Sequence, residues 1–347
     1  MSLTCTDRPK ESVKIRETLA PSASTVLVAT NFQLVNHPAR NGSIRLNLPF
    51  EFIQNIEGVF GEAGKQFIAN LPALIEEASQ QWGLTDIQPS SDLSYNFVAF
   101  AERGAEQVVL KMAVPNRESK SEMAALRLFN GVGACRLIDC DEEKCWMLLE
   151  RLNPGVMLSA LEDDEEATYI AAQVMQKIWR PAPADAVFIR LTDWFDGLQK
   201  LRLMFNGGTG PLDEKLVERV EHSVRDFFAE NHQPVLMHGD FHHFNILSAE
   251  RGWLVIDPKG VIGPAAYEVG PFLLNPWGDL LNGGKTRQMT KKRIDILHEQ
   301  LGFERERILE WGLAHAVLSA WWSIEEHGDW RYAAGFAQMI ADLPLDP

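Results

Sequence analysis

Positive charge is scarce in this chain. Lys and Arg number 33 against 48 Asp and Glu, which leaves a net charge of −15 over 347 residues. Nucleic acid is therefore not an expected partner, because phosphate backbones are held by clustered lysine and arginine. No apolar run approaches the roughly 20 residues that a membrane span needs, so no membrane association is expected. The start, Met1 to Lys10, is polar with no apolar segment behind it, which argues against a leader peptide. Only four cysteines occur, at 5, 135, 140 and 145, with no Cys-x-x-Cys pair. Reduced packing cysteines are the expectation, as in a cytoplasmic protein. There is no internal repeat and no low-complexity tract. What the chain does have is apolar mass: 46% hydrophobic residues, enough to bury two modest cores.

The richest local signal is His238-Gly239-Asp240-Phe241-His242-His243-Phe244-Asn245-Ile246-Leu247, followed by Ile256-Asp257-Pro258. Val235 to Met237 and Trp253 to Ile256 read as short buried strands, so Asp240 and Asp257 stand at strand ends. An Asp, an Asn five residues later and a second Asp after a hairpin suit phosphoryl transfer. The first accepts a hydroxyl proton, and the other two hold magnesium against the phosphates of ATP. Zinc on His238, His242 and His243 is the rival chemistry, but the His-Glu-x-x-His helix signature is absent.

Phosphoryl transfer also needs a strand lysine and a helix glutamate to hold it. Gln107 to Val114 is a β-branched run with Lys111 inside it. Glu122 opens a helical pattern with apolar residues at 123, 126 and 129. Alone, each would pass for a surface charge; together with Asp240, Asn245 and Asp257 they complete an ATP site.

With these residues in view, the chain resembles the aminoglycoside phosphotransferase branch of the protein-kinase-like fold, within it the streptomycin and hydroxyurea phosphotransferase group. The resemblance is carried by Phe60-Gly61-Glu62-Ala63-Gly64, Leu71-Pro72, Trp82-Gly83-Leu84, Leu110-Lys111, Glu122 to Leu126, Leu148 to Leu152 and the 238–247 motif. Asp257-Pro258-Lys259-Gly260 and Tyr267 to Gly270 complete it. It implies an α+β, bilobal fold with a small β-rich N-lobe and a larger helical C-lobe. It further implies Asp240 as the catalytic base, Asn245 and Asp257 as magnesium ligands, and Lys111 with Glu122 as the pair that positions ATP. Glu150 to Leu152 become the hinge facing adenine, and a bacterial-type cytoplasm the compartment. The acceptor is a hydroxyl of a small molecule, streptomycin-like or hydroxyurea, with drug resistance as the outcome. A nucleotide-binding sensor or scaffold without turnover is the alternative from another class.

One departure from the pattern is plain. The turn that should cover the phosphates, Ser90 to Asn96, contains no glycine. Serine hydroxyls and backbone N–H groups can bind phosphate oxygens instead, so Ser91 and Ser94 are expected near them.

The expected division is an extension at 1–45 with one β-like run at 25–29, an N-lobe at 46–153 and a C-lobe at 154–347. Helical patterns run 50–60, 71–82, 120–129, 164–179, 192–205, 212–230, 288–300, 305–327 and 330–341. Strands are expected at 94–101, 107–114, 134–139 and 145–150. Gly283-Gly284-Lys285-Thr286 imitates the end of a P-loop, but position 279 is Asp, so a polar loop is expected. The acidic run Glu162 to Glu166 reads as a helix N-terminus. Most C-terminal tryptophans read as core. His242, Asp193, Asp196, Asp279, Glu325 and Glu326 are candidates for binding a cationic acceptor, with the protein a monomer or homodimer.

Overall fold

The structure, a computed structural model, describes residues 32–37, 44–184, 187–231, 233–276 and 283–344. The expected run at 25–29, Trp277 and Asp279 lie outside them. Chain order begins β1 (Phe32–His37), β2 (Ile44–Pro49), α1 (Phe50–Trp82), β3 (Leu84–Pro89), β4 (Phe97–Arg103) and β5 (Glu106–Met112). Then come α2 (Arg117–Phe129), β6 (Leu137–Asp141), β7 (Trp146–Glu150), β8 (Pro154–Met157), α3 (Asp164–Ile178), β9 (Arg180–Pro181) and β10 (Ile189–Arg190). Helices α4 (Leu191–Phe195), α5 (Gly197–Met204) and α6 (Glu214–Ala229) precede β11 (Val235–Met237), β12 (Ile246–Ala249), β13 (Gly252–Val255) and β14 (Val261–Gly263). The last four elements are α7 (Val269–Leu274), α8 (Gly283–Leu301), α9 (Arg305–Glu325) and α10 (Arg331–Ala341).

The N-lobe is an antiparallel sheet in the order β3-β4-β5-β7-β6. Its inward residues, among them Phe97, Ala99, Val108, Leu110 and Leu148, pack with Leu48, Phe52, Ile56, Leu71 and Trp82 of β2 and α1. The two helical patterns expected before this sheet are one span broken at Gly61, whose φ of 55° and ψ of −126° leave helical space. Gly83 closes that span in the left-handed region, its N–H donating to the Ser79 carbonyl.

A second core gathers the C-lobe helices, and it claims the inner face of α2 as well: Met123, Ala125, Leu126 and Phe129 pack with Ala134, Ile178 and Val255. The expected boundary at 45 falls inside β2, and that at 153 meets the Asn153-Pro154 bond. The strand expected at 134–139 starts later, because Ala134 bridges Val255 and the Cys135 N–H donates to the Val255 carbonyl at 2.8 Å. The P-loop look-alike is not a loop: residues 283–286 begin α8. The acidic run does open α3, with the Asp163 side chain accepting the N–H groups of Glu165 and Glu166. Cys135, Cys140 and Cys145 are free thiols, and burial pushes Cys135 up to about 12. Among the described residues no helix is long and apolar enough to cross a membrane.

Candidate active site

The loop that carries Asp240 leaves β11 at His238 and is held through its backbone N–H groups. The buried Glu268 carboxylate accepts the N–H groups of His238 and Gly239, each at 2.8 Å. Gly239 needs its φ of 87°, and a Cβ there would come within 2.4 Å of Val261 Cγ2. His238 donates from Nε2 to the Ile256 carbonyl at 2.8 Å and accepts the Asp240 N–H at Nδ1. Burial lowers its pKa to about 4, so it is neutral, in that tautomer, at physiological pH.

Asp240 emerges from this frame into a cleft between the lobes. His242 Nε2 stands 3.5 Å from its Oδ1. Burial works against ionisation of Asp240, but the hydrogen bond from His242 and the charge of Lys259 outweigh it and hold the carboxyl well below the usual range. Asn245, on a short 3-10 turn, donates from Nδ2 to the Asp240 carbonyl at 3.0 Å. Its amide oxygen is thereby turned to the opposite side. Asp257 follows β13 at a φ of 58°, a backbone strain of the kind that active sites retain.

Lys111 on β5 meets both Glu122 oxygens, at 2.6 and 2.7 Å, and forms an ion pair with Asp257. Burial disfavours its charge, but Asp257 and Glu122 overcome that and raise its pKa. For Asp257 burial likewise opposes ionisation, and Lys111 with Lys259 reverses the balance, holding it low. Five sequence-predicted residues thus converge: Lys111, Glu122, Asp240, Asn245 and Asp257. His243, the third member of the rival zinc set, is instead buried and stacked on Phe272 at 4.2 Å. Among the described residues no His, Cys, Asp and Glu cluster could hold a metal by itself.

The other candidates scatter. Glu150 ends β7, but its side chain is tied to Arg251 and to the Arg136 N–H, while Leu152 beyond it is buried. From the glycine-free turn it is Tyr95 and Asn96 that line the cleft; Ser91 and Ser94 are solvent-exposed and do not. Asp193 turns out to Arg117 at 3.1 Å, Asp196 lines a different hollow beside α6, and Glu325 sits 3.9 Å from Lys200. None of these three lines the cleft. Glu326 and His242 do line it.

That cleft encloses about 500 Å³. Trp194 and Trp322 meet edge to face at 5.3 Å on one wall, with His315 beneath, hydrogen-bonded to Tyr267 at 2.9 Å. The Tyr95 hydroxyl donates to Glu326 across the lobes at 3.4 Å. Trp311 and Trp321 are core, as their helical spacing implies, whereas Trp322 is not wholly so. Trp194, Lys259, Glu118 and Glu268 join the site without a role in the Asp–Asn–Asp spacing. The signal for Glu118 was its place one helical turn before Glu122.

The chain matches the family described as aminoglycoside/hydroxyurea antibiotic resistance kinase over residues 82–328. It is 31% identical to streptomycin 6-kinase of Streptomyces glaucescens over 81% of this chain and 92% of that one. Hydroxyurea phosphotransferase of Kitasatospora aureofaciens is 28% identical, over 81% of each. A solved ternary complex of aminoglycoside phosphotransferase APH(4)-Ia with ADP and hygromycin B aligns at a TM-score of 0.54. That alignment spans 78% of this chain and 99% of the other at 16% identity, which speaks to the fold alone. The two-lobed architecture is protein-kinase-like, and Lys111, Glu122, Asp240, Asn245 and Asp257 lie together in it. By fold, sequence and site together, this chain belongs to the aminoglycoside/hydroxyurea antibiotic resistance kinases.

Proposed function

We propose that the protein transfers the γ-phosphoryl group of ATP to a hydroxyl of a cationic small molecule of the streptomycin type. The observation that carries the acceptor class is the cleft itself. It encloses about 500 Å³, carries Asp240 and Glu326 from separate elements, and is walled by Trp194 and Trp322. A guanidinium or ammonium group is met by such carboxylates and by aromatic faces. Hydroxyurea is small and neutral and would leave most of that volume to water. The net charge of −15 favours a cation as well.

Asp257 and the outward amide oxygen of Asn245 fit a magnesium ion, which commonly takes one or two protein oxygens and completes its shell with phosphate oxygens and water. When bound, that ion neutralises charge on the phosphates. The remaining work belongs to the chain. Asp240 accepts the hydroxyl hydrogen bond and orients the oxygen towards the γ-phosphorus. A new O–P bond forms as the bond to the bridging oxygen breaks, the electron pair leaves with ADP, and the hydroxyl proton passes to Asp240. Its depressed pKa makes Asp240 a weak base, so orientation dominates and the proton moves late, as suits a loose transition state. Glu150 and Leu152 supply the hinge backbone for adenine.

Salt tests the acceptor reading. A cationic acceptor should bind more weakly as ionic strength rises, and Glu326→Gln should flatten that dependence. Acceptor binding indifferent to both would remove the cation from the proposal.

A further inference from the structure

Lys259, whose charge favours the ionised forms of Asp240 and Asp257, is fixed by the fold from both sides. Its N–H donates to the His238 carbonyl at 2.8 Å, two residues before Asp240. The adjoining Gly260, at a φ of 66°, accepts Ser121 Oγ at 2.7 Å. A Cβ on Gly260 would lie 2.7 Å from the Ser121 carbonyl oxygen. The Lys259 ammonium contacts Glu118 Oε1 at 3.0 Å and stands 4.0 Å from Asp257 Oδ2.

Glu118 and Glu122 are four residues apart on α2 and so share one face. Each holds a lysine, and both lysines converge on Asp257. The two ammonium groups face different spaces. The Lys111 side chain is 6% exposed and lies behind the cleft, whereas that of Lys259 is 24% exposed and lines it beside Asp240. The turn expected to cap the phosphates has no glycine, and none of its three serines lines the cleft.

We propose that Lys259 binds the γ-phosphoryl group, its ammonium meeting the non-bridging oxygens that Lys111, set deeper, leaves free. The inference rests on the ATP-dependent transfer described above. Lys259 neither gains nor loses a proton in that step; it offsets negative charge while the O–P bonds are exchanged. A lysine suits the task as a compact charge on a flexible stem, anchored here at its backbone.

The test is calorimetric titration of the full chain, with magnesium and without acceptor, using ADP and a non-hydrolysable ATP analogue. Lys259→Gln should weaken analogue binding about tenfold or more, the loss of one charged hydrogen bond, and leave ADP near its wild-type affinity. Lys259→Arg should restore most of the difference. Turnover in Lys259→Gln should fall roughly 10²–10³-fold, as when one preorganised donor to developing charge is removed. Acylation of the unmutated protein, read by mass spectrometry, gives a second measure that needs no variant to fold. The analogue should shield the Lys259 amine and ADP should not. Equal loss for both nucleotides, no loss for either, or equal shielding overturns the assignment. A wild-type protein that binds neither nucleotide overturns instead the reading on which it rests.

Discussion

Lys111 and Asp257 are 146 residues apart in sequence and meet as an ion pair, with Glu122 holding the far side of the same ammonium. The contact ties β5, α2 and the end of β13 into one unit, and joins the two cores. Lys111 therefore carries structure as well as the nucleotide-binding role proposed for it. Lys111→Met strands Glu122 in a site where its side chain is 7% exposed. Breaking such a pair costs about 3–5 kcal/mol. Urea unfolding should show that loss, and the double variant Lys111→Met/Glu122→Leu should recover much of it while still binding no nucleotide tightly. An undiminished urea midpoint in the single variant would make the pair a purely functional one.

Asp240→Asn keeps shape and removes the proton acceptor. Turnover should fall by about 10²–10⁴-fold, the range for a general base, while nucleotide affinity persists. Near-wild-type turnover would take Asp240 out of the reaction.

Asp257→Ala should weaken nucleotide affinity mainly when magnesium is present. Titrating ATP with and without the ion separates the cases, and equal losses in both would assign Asp257 to structure alone.

Glu268 gives a pH signature. Burial pushes it up to about 7 from 4.5 despite the His238 and Gly239 N–H groups. The folded state thus holds a proton that the unfolded chain releases near 4.5. The stability this provides is complete below 4.5 and is lost as pH rises through about 7. Glu268→Gln offers one acceptor oxygen for two N–H groups, so it should be less stable by about 1–3 kcal/mol. Its urea midpoint should also change less between pH 5 and pH 8 than that of the wild type. Parallel pH dependence in the two proteins would contradict this account of Glu268.

The grouping of Asp240, Asn245 and Asp257 was legible because it is local: the three flank one hairpin, β12–β13. Lys111 and Glu122 were legible only in combination, since a strand lysine and a helix glutamate are common singly. The acceptor wall was less so. Asp193, Asp196 and Glu325 were as plausible as Glu326, and their tertiary surroundings, Arg117, the hollow beside α6 and Lys200, are what no spacing encodes. The turn Ser90 to Asn96 was hard to read for a similar reason. Its residues follow no periodic pattern, and side-chain direction there depends on bonds such as Ser90 N–H to the Val98 carbonyl. Gly61 signalled a break in α1, but not that both halves pack as one span on the sheet. Trp194 reaches the cleft because α4 docks beside Gly239, a contact no spacing encodes.

The central claim is phosphoryl transfer to a hydroxyl of a cationic small molecule. Mass spectrometry of the purified protein with ATP, magnesium and, in separate reactions, streptomycin or hydroxyurea tests it most directly. Streptomycin should gain the mass of one HPO3 unit, with ADP formed in equal amount and the product absent in Asp240→Asn. Phosphorylation of hydroxyurea alone, or ADP release with no acceptor modified, would contradict the account.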